Sequence, residues 1–166
     1  MKHVNIFDNL VSKQQIDEIF NFCKKQPYKR TELDGPGLPY TGLISNLELE
    51  NDLVKFLLNV TNSKKDKLIR AYINLFIHDE KPYYHQDEQE PGAKTLLYYA
   101  NPQPKNYDDL GESFFIIDNE IQGVLPVPGR IIIFDAEVWH KATPLRNDDR
   151  YTVALKWTRW LHYSHL

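Results

Sequence analysis

Two periodicities divide the chain. Up to about residue 60 the apolar positions recur every three or four residues; beyond residue 67 they alternate. Ser12 and Gln15 form a capping-box pattern, in which each side chain satisfies the other residue's backbone N–H. Ile16, Ile19, Phe20 and Cys23 then follow at helical spacing until Pro27, which cannot continue a helix. Cys23 therefore reads as a core residue. A second amphipathic stretch, from about Leu49 to Val60, sets Leu53, Phe56, Leu57 and Val60 on one side.

From Leu68 the period falls to two. Ile69, Ala71, Ile73, Leu75 and Ile77 alternate with Arg70, Tyr72, Asn74 and Phe76, which predicts a strand with one face in an apolar layer and the other in a mixed polar cavity. Further short strands are predicted near 94–100, 112–117, 121–126, 130–135, 138–143 and 150–158, joined by turns rich in Pro, Gly, Asn and Asp. Many short strands at such spacing make a sandwich or barrel. The chain contains no internal repeat and no low-complexity tract.

Bulk properties narrow the setting. The 166 residues amount to one domain, 1–166, large enough to bury about two thirds of its unfolded surface. Lys and Arg number 20 against 23 Asp and Glu, a net charge of −3, and the pI is near 6.1. That balance carries no electrostatic footprint for nucleic acid. The single cysteine, Cys23, excludes an intramolecular disulfide and fits a reducing compartment. No segment approaches the length of a membrane span, and the opening Met1-Lys2-His3-Val4-Asn5 lacks the apolar core of a signal peptide. The expectation is a cytoplasmic protein without a membrane partner.

The candidate chemistry lies in the second half. His85 and Asp87 are spaced as His-x-Asp, and His140 follows 53 positions after Asp87 (140 − 87 = 53). Two imidazoles and one carboxylate make the facial triad that holds non-haem Fe(II) and leaves coordination positions open. On a strand, residues i and i+2 share a face, so His85 and Asp87 are expected to point into one cavity from a strand end, with Gln86 turned away. His140 is expected near the start of a later strand, after Arg130-Ile131-Ile132-Ile133-Phe134-Asp135. Pro144 to Asp149 then reads as a turn, and Arg150 to Trp157 as a strand. An antiparallel hairpin there would return Arg150 to the side of His140, with a planar guanidinium able to grip a carboxylate through two hydrogen bonds. Taken singly, these features have plainer readings. His-x-Asp is also a hydrogen-bonded turn dipeptide, and Arg150 also an exposed hairpin residue.

From about Lys67 to Trp157 the chain resembles the Fe(II)/2-oxoglutarate-dependent dioxygenases, and among them the prolyl 4-hydroxylase-like branch. The resemblance rests on His85-x-Asp87, Thr95-Leu96-Leu97-Tyr98-Tyr99-Ala100-Asn101, Gly111-Glu112-Ser113-Phe114-Phe115, Pro128-Gly129-Arg130, Phe134-Asp135, His140 and Arg150, in that order. The lead-in Asn5-Ile6-Phe7-Asp8-Asn9-Leu10, followed by a helix, is also similar to the family's. Two features depart from it. Many relatives carry two glycines where this chain has Leu110-Gly111 before Glu112, and several prolyl hydroxylases anchor the carboxylate with lysine. Lys156, on the same strand face as Arg150, is a second basic group for the cavity.

The resemblance implies a mainly β (α+β) fold, a double-stranded β-helix or jelly-roll core over about 67–160 with helical support over about 1–66. It implies Fe(II), 2-oxoglutarate as cosubstrate and O2, with ascorbate as an accessory reductant. Arg150 would hold the distal carboxylate of 2-oxoglutarate, Tyr99 would add a hydrogen bond, Thr152 would support Arg150, and Tyr72 with Asn74 would line the cavity. The reaction implied is hydroxylation with release of succinate and CO2. Retention of Asp87, which halogenating members replace with a small residue, argues against halogenation.

The expected substrate is a proline-containing peptide or protein, then a free amino acid or other small molecule, with nucleobase demethylation third. Loops 31–42 and 101–109 are candidate lids. Trp139 is expected over the substrate or in the core, and His3, His78, His162 and His165 match no ligand spacing. A different class stays open, since the same donors also suit Zn or Ni in a non-catalytic jelly-roll module.

Overall fold

The computed structural model describes residues 3–63, 67–87, 90–101, 108 and 110–158. Nine strands and two helices follow in the order β1 (Val4–Phe7), α1 (Lys13–Lys24), β2 (Leu43–Asn46), α2 (Asp52–Val60), β3 (Lys67–Phe76), β4 (Lys94–Tyr99), β5 (Ser113–Ile117), β6 (Glu120–Val124), β7 (Ile131–Asp135), β8 (Trp139–Ala142) and β9 (Arg150–Thr158). The capping box forms: Ser12 Oγ accepts from the Gln15 N–H at 3.3 Å, and Gln15 Oε1 accepts from the Ser12 N–H at 2.9 Å. Asn51 caps α2 in the simpler way, its Oδ1 accepting from the Leu53 N–H.

All strand pairings are antiparallel, in a six-stranded sheet ordered β1-β7-β4-β9-β3-β2 and a three-stranded sheet ordered β6-β5-β8. This is the mainly β, jelly-roll architecture expected from the strand pattern and the resemblance. Alternation along the strands sorts the side chains into two layers. Ala71, Ile73, Leu75, Leu96, Val153 and Leu155 bury one face of the large sheet in a layer that also holds Cys23 of α1 and Val54 and Leu57 of α2. The other face contributes Tyr72, Leu97, Tyr99 and Ala154 to a second cluster, where they meet Phe115 and Ile117 of the small sheet. The polar members of that second face, Arg70, Asn74, Arg150, Thr152 and Lys156, border a cavity.

Three local expectations change. Residues 138–158 do not form one hairpin, because β8 pairs with β5 in the small sheet while β9 lies between β3 and β4 in the large one. The 143–149 connection crosses between sheets, so Arg150 faces the site across the cavity rather than from a paired neighbour. His85 and Asp87 do not lie on a strand end. Pro82, which lacks an N–H, falls in the irregular stretch after β3, and His85 forms only an isolated bridge with His140. Finally, the short segments 4–7 and 43–46 form edge strands that their sequence pattern did not call for. Four residues are too few to display a period, and pairing with β7 and β3 decides their state.

Candidate active site

The bridge between His85 and His140 sets up the site. The two residues exchange backbone hydrogen bonds at 2.9 Å each, and the Asp87 N–H donates to Ala136 O at 2.9 Å. Two residues of an irregular segment are thereby held against β8 and the turn before it, and both side chains border the same cavity. Gln86 does not turn wholly away, since it borders the cavity while its amide donates to Glu137 O at 2.5 Å.

One donor atom from each of His85, Asp87 and His140 lies within 4.8 Å of the others. His85 Nε2 is 3.7 Å from Asp87 Oδ1, and His140 Nε2 is 3.5 Å from Asp87 Oδ2. The other ring nitrogens settle the tautomers. His85 Nδ1 faces Tyr83 O at 3.1 Å and His140 Nδ1 faces Val138 O at 2.9 Å. A carbonyl only accepts, so Nδ1 carries the proton in both rings and the Nε2 lone pairs converge beside the carboxylate. Phe115 stacks on the His140 ring and Phe134 meets it edge-on, which fixes its orientation. This donor set suits a divalent first-row metal such as Fe(II).

Asp87 is the most heavily engaged of the three. Its side chain is 4 % exposed; Thr95 Oγ1 donates to Oδ2 at 2.6 Å and Lys156 Nζ donates to Oδ1 at 2.8 Å. Burial pushes this carboxyl up, but His140, Lys156 and His85 outweigh burial and hold it well below the ordinary aspartate value. Burial likewise works against the Lys156 ammonium, yet Tyr72 and Asp87 more than offset it and raise it above an ordinary lysine. His140 is lowered, chiefly by burial, which favours the neutral, ligating form.

Arg150 occupies another part of the same cavity wall, and it is 2 % exposed. Its Nε–H donates to Gly111 O at 2.9 Å and a terminal nitrogen donates to Ser113 Oγ at 3.1 Å. Gly111 sits at φ +92°, where a Cβ would come within 2.6 Å of Leu145, so the carbonyl that receives Arg150 depends on glycine. The rings of Tyr99 and Phe76 flank the guanidinium at 5.4 and 5.9 Å. No carboxylate among the described residues forms an ion pair with it. Burial lowers its pKa from the usual arginine value, but guanidinium stays charged. An isolated buried cation costs several kcal/mol unless an anion joins it, on the order of the penalty for any buried unpaired charge.

The remaining predicted positions separate. Thr152 and Tyr72 line the cavity, and Tyr72 lies under Arg70 and near Lys156. Tyr99 stands behind Arg150 rather than on the wall; burial raises the pKa of its hydroxyl, and Arg150 and Ser113 draw it back in part. Trp139 is 47 % exposed and belongs to neither the core nor the cavity wall. His3 and His78 are exposed; His162 and His165 lie outside the described residues. Of the 101–109 loop, residues 102–107 and 109 also lie outside them.

The 31–42 loop contributes more than the sequence indicated. Glu32 accepts two hydrogen bonds from Arg70, at 2.6 and 3.2 Å, and Asp34 accepts from Thr41 Oγ1 at 2.8 Å and the Tyr83 N–H at 2.7 Å. Asp34 Oδ1 also stands 3.4 Å from His85 Nδ1, sharing that proton with Tyr83 O. Glu32, Leu33, Asp34 and Thr41 thus close one side of a cavity of about 220 Å³. Thr95, Ser113 and Asp34 carried no local signal, because each acts through a fold contact rather than a sequence spacing.

No known family model matches the chain, and no curated protein matches its sequence. Solved structures do match its fold. A prolyl hydroxylase from Trichoplax adhaerens, in complex with a hypoxia-inducible factor oxygen degradation domain peptide, is 16 % identical with a TM-score of 0.73, over 93 % of this chain and 83 % of that one. A Pseudomonas putida prolyl-4-hydroxylase is 13 % identical with a TM-score of 0.72, over 96 % and 94 %. HygX from Streptomyces hygroscopicus, with nickel and 2-oxoglutarate bound, is 10 % identical with a TM-score of 0.73, over 96 % and 84 %. At such identities the likeness is one of fold. It places the chain's two sheets in the jelly-roll arrangement of 2-oxoglutarate oxygenases.

Proposed function

We propose that the chain is an Fe(II)- and 2-oxoglutarate-dependent dioxygenase that hydroxylates an unactivated C–H bond. One observation carries this reading: a buried Arg150 that forms no ion pair with any described residue shares its cavity with the His85, Asp87, His140 donor set. A metal-binding module has no use for a buried guanidinium beside the metal, whereas a dicarboxylate cosubstrate needs both. That contrast weighs against the non-catalytic alternative.

His85, Asp87 and His140 would hold the metal. Iron and O2, when bound, supply oxidative decarboxylation of 2-oxoglutarate to succinate and CO2, coupled to insertion of one oxygen atom into the substrate C–H bond. The protein's part is placement. Thr95 and Lys156 fix the Asp87 carboxylate, and the carbonyls of Tyr83 and Val138 fix both imidazole tautomers. Gly111 and Ser113 aim Arg150 for the distal carboxylate, with Tyr99 behind it and Thr152 on the wall alongside. Tyr72, whose hydroxyl stays protonated because burial raises its pKa, lines the cavity beside Lys156. The likeness to prolyl hydroxylases, one of them bound to a peptide, supports a proline ring in a peptide or protein as substrate. The buried lone Cys23 supports a reducing, cytoplasmic setting.

An anaerobic titration of Fe(II) and 2-oxoglutarate tests the reading, with the visible charge-transfer band of a chelated keto acid as the signal. The band is expected in the wild type and absent in His140→Ala. Metal binding without a band in the wild type would turn the assignment toward the metal module.

A further inference from the structure

Lys156 is placed to sense both the metal and the anion that joins it. On β9 it stands opposite Arg70 of β3, with its side chain 15 % exposed and its Nζ 2.8 Å from Asp87 Oδ1. Among the described residues, the charged side chains bordering the cavity are three cations, Arg70, Arg150 and Lys156, and three carboxylates, Glu32, Asp34 and Asp87. The count is neutral (3 − 3 = 0), and two of the carboxylates are already committed. Glu32 holds Arg70, and Asp34 holds Thr41, Tyr83 and the rim of His85. Asp87 is the one carboxylate offered to a metal, and Lys156 already neutralises it.

A divalent ion entering this cavity raises its charge to +2 close to a mostly buried ammonium, where charges are poorly screened. A dicarboxylate brings the total back to zero. We propose that Lys156 makes metal retention depend on the cosubstrate: its fixed positive charge opposes a bound divalent ion on its own and favours the ion together with a dianionic 2-oxo acid. This inference rests on the dioxygenase reading. Coupling of this kind is reciprocal, so the anion is held more tightly with metal present by the same factor.

The test measures Mn(II) affinity calorimetrically, without turnover, with and without saturating 2-oxoglutarate, in the wild type, Lys156→Met, Lys156→Gln and Lys156→Arg. Lys156→Gln retains an N–H donor, one atom shorter than the ammonium, and drops the charge, so it helps separate charge from polarity and stands in if Lys156→Met does not fold. The wild type is expected to gain at least tenfold in Mn(II) affinity from 2-oxoglutarate. Lys156→Met and Lys156→Gln are expected to bind Mn(II) alone at least tenfold more tightly than the wild type and to gain several-fold less from 2-oxoglutarate. Lys156→Arg should behave as the wild type. Equal or weaker Mn(II) binding by Lys156→Gln, with an undiminished gain from 2-oxoglutarate, overturns the inference and leaves the dioxygenase reading intact. Failure of 2-oxoglutarate to bind the metal-loaded wild type, seen in its own titration, overturns that reading instead.

Discussion

Arg150 donates to Gly111 O and Ser113 Oγ, and its guanidinium borders the cavity with no ion pair to any described carboxylate. Truncating one side of a buried, hydrogen-bonded charge pair costs about 2–5 kcal/mol. Arg150→Ala is therefore expected to weaken 2-oxoglutarate binding by roughly 30- to 4,000-fold, while Mn(II) binding in the absence of cosubstrate changes far less. Calorimetric titration of each ligand in turn checks this, and an unchanged affinity for 2-oxoglutarate would move the anchor to Lys156. The two basic residues of β9 thus have separable roles. Arg150 forms no ion pair with any described residue, whereas Lys156 already has one with Asp87.

At the scale of elements, the 31–42 loop is tied to the site through its acids. Asp34 receives the Tyr83 N–H, the Thr41 hydroxyl and part of the His85 Nδ1–H, so one carboxylate joins the loop to the segment that carries His85 and Asp87. Groups of this kind that orient a ligating histidine are worth about 10- to 100-fold in metal affinity. Asp34→Ala is expected to weaken Mn(II) binding by roughly that factor without unfolding the chain, as followed by titration alongside far-UV circular dichroism. Wild-type affinity in the variant would mean that the Tyr83 carbonyl alone orients His85. The connection between β8 and β9 makes a second point about elements. It separates His140 and Arg150 into different sheets, so they face each other across a cavity wide enough for a ligand, which adjacent strands about 4.8 Å apart would not provide.

For the whole molecule, the ligands are expected to act as folding partners, because the triad, Arg150 and the loop come together only when both sheets are formed. Mn(II) at about 100 times its dissociation constant contributes about 2.7 kcal/mol through binding the native state alone. In a chain of 166 residues that corresponds to a rise of roughly 5–10 °C in Tm. The rise should vanish with a chelator, and it should be largely lost in His140→Ala. Thermal melts of both proteins, with and without the ligands, read this out. A shift of the same size in His140→Ala would place the metal elsewhere.

The residue types of the candidate site and the layering of the sheets were readable from the order of residues alone. Strict alternation from Ala71 to Phe76 assigned each side chain of β3 to the helix layer or the cavity, because a strand's faces follow from its period alone. His85, Asp87, His140 and Arg150 were legible because their chemistry is specific and two of them are close in sequence. The tertiary structure decided the rest. Thr95 reaches Asp87 across 8 residues, Ser113 reaches Arg150 across 37, and Asp34 reaches Tyr83 across 49. No period links such positions; they meet because the Asp87 backbone docks on Ala136 next to β4, the two sheets bring β5 against β9, and the 31–42 loop closes one side of the cavity. The same holds for the assignment of β8 and β9 to different sheets. A turn signal states that the chain reverses, but the pairing partners available on each sheet decide which strand lies next to which.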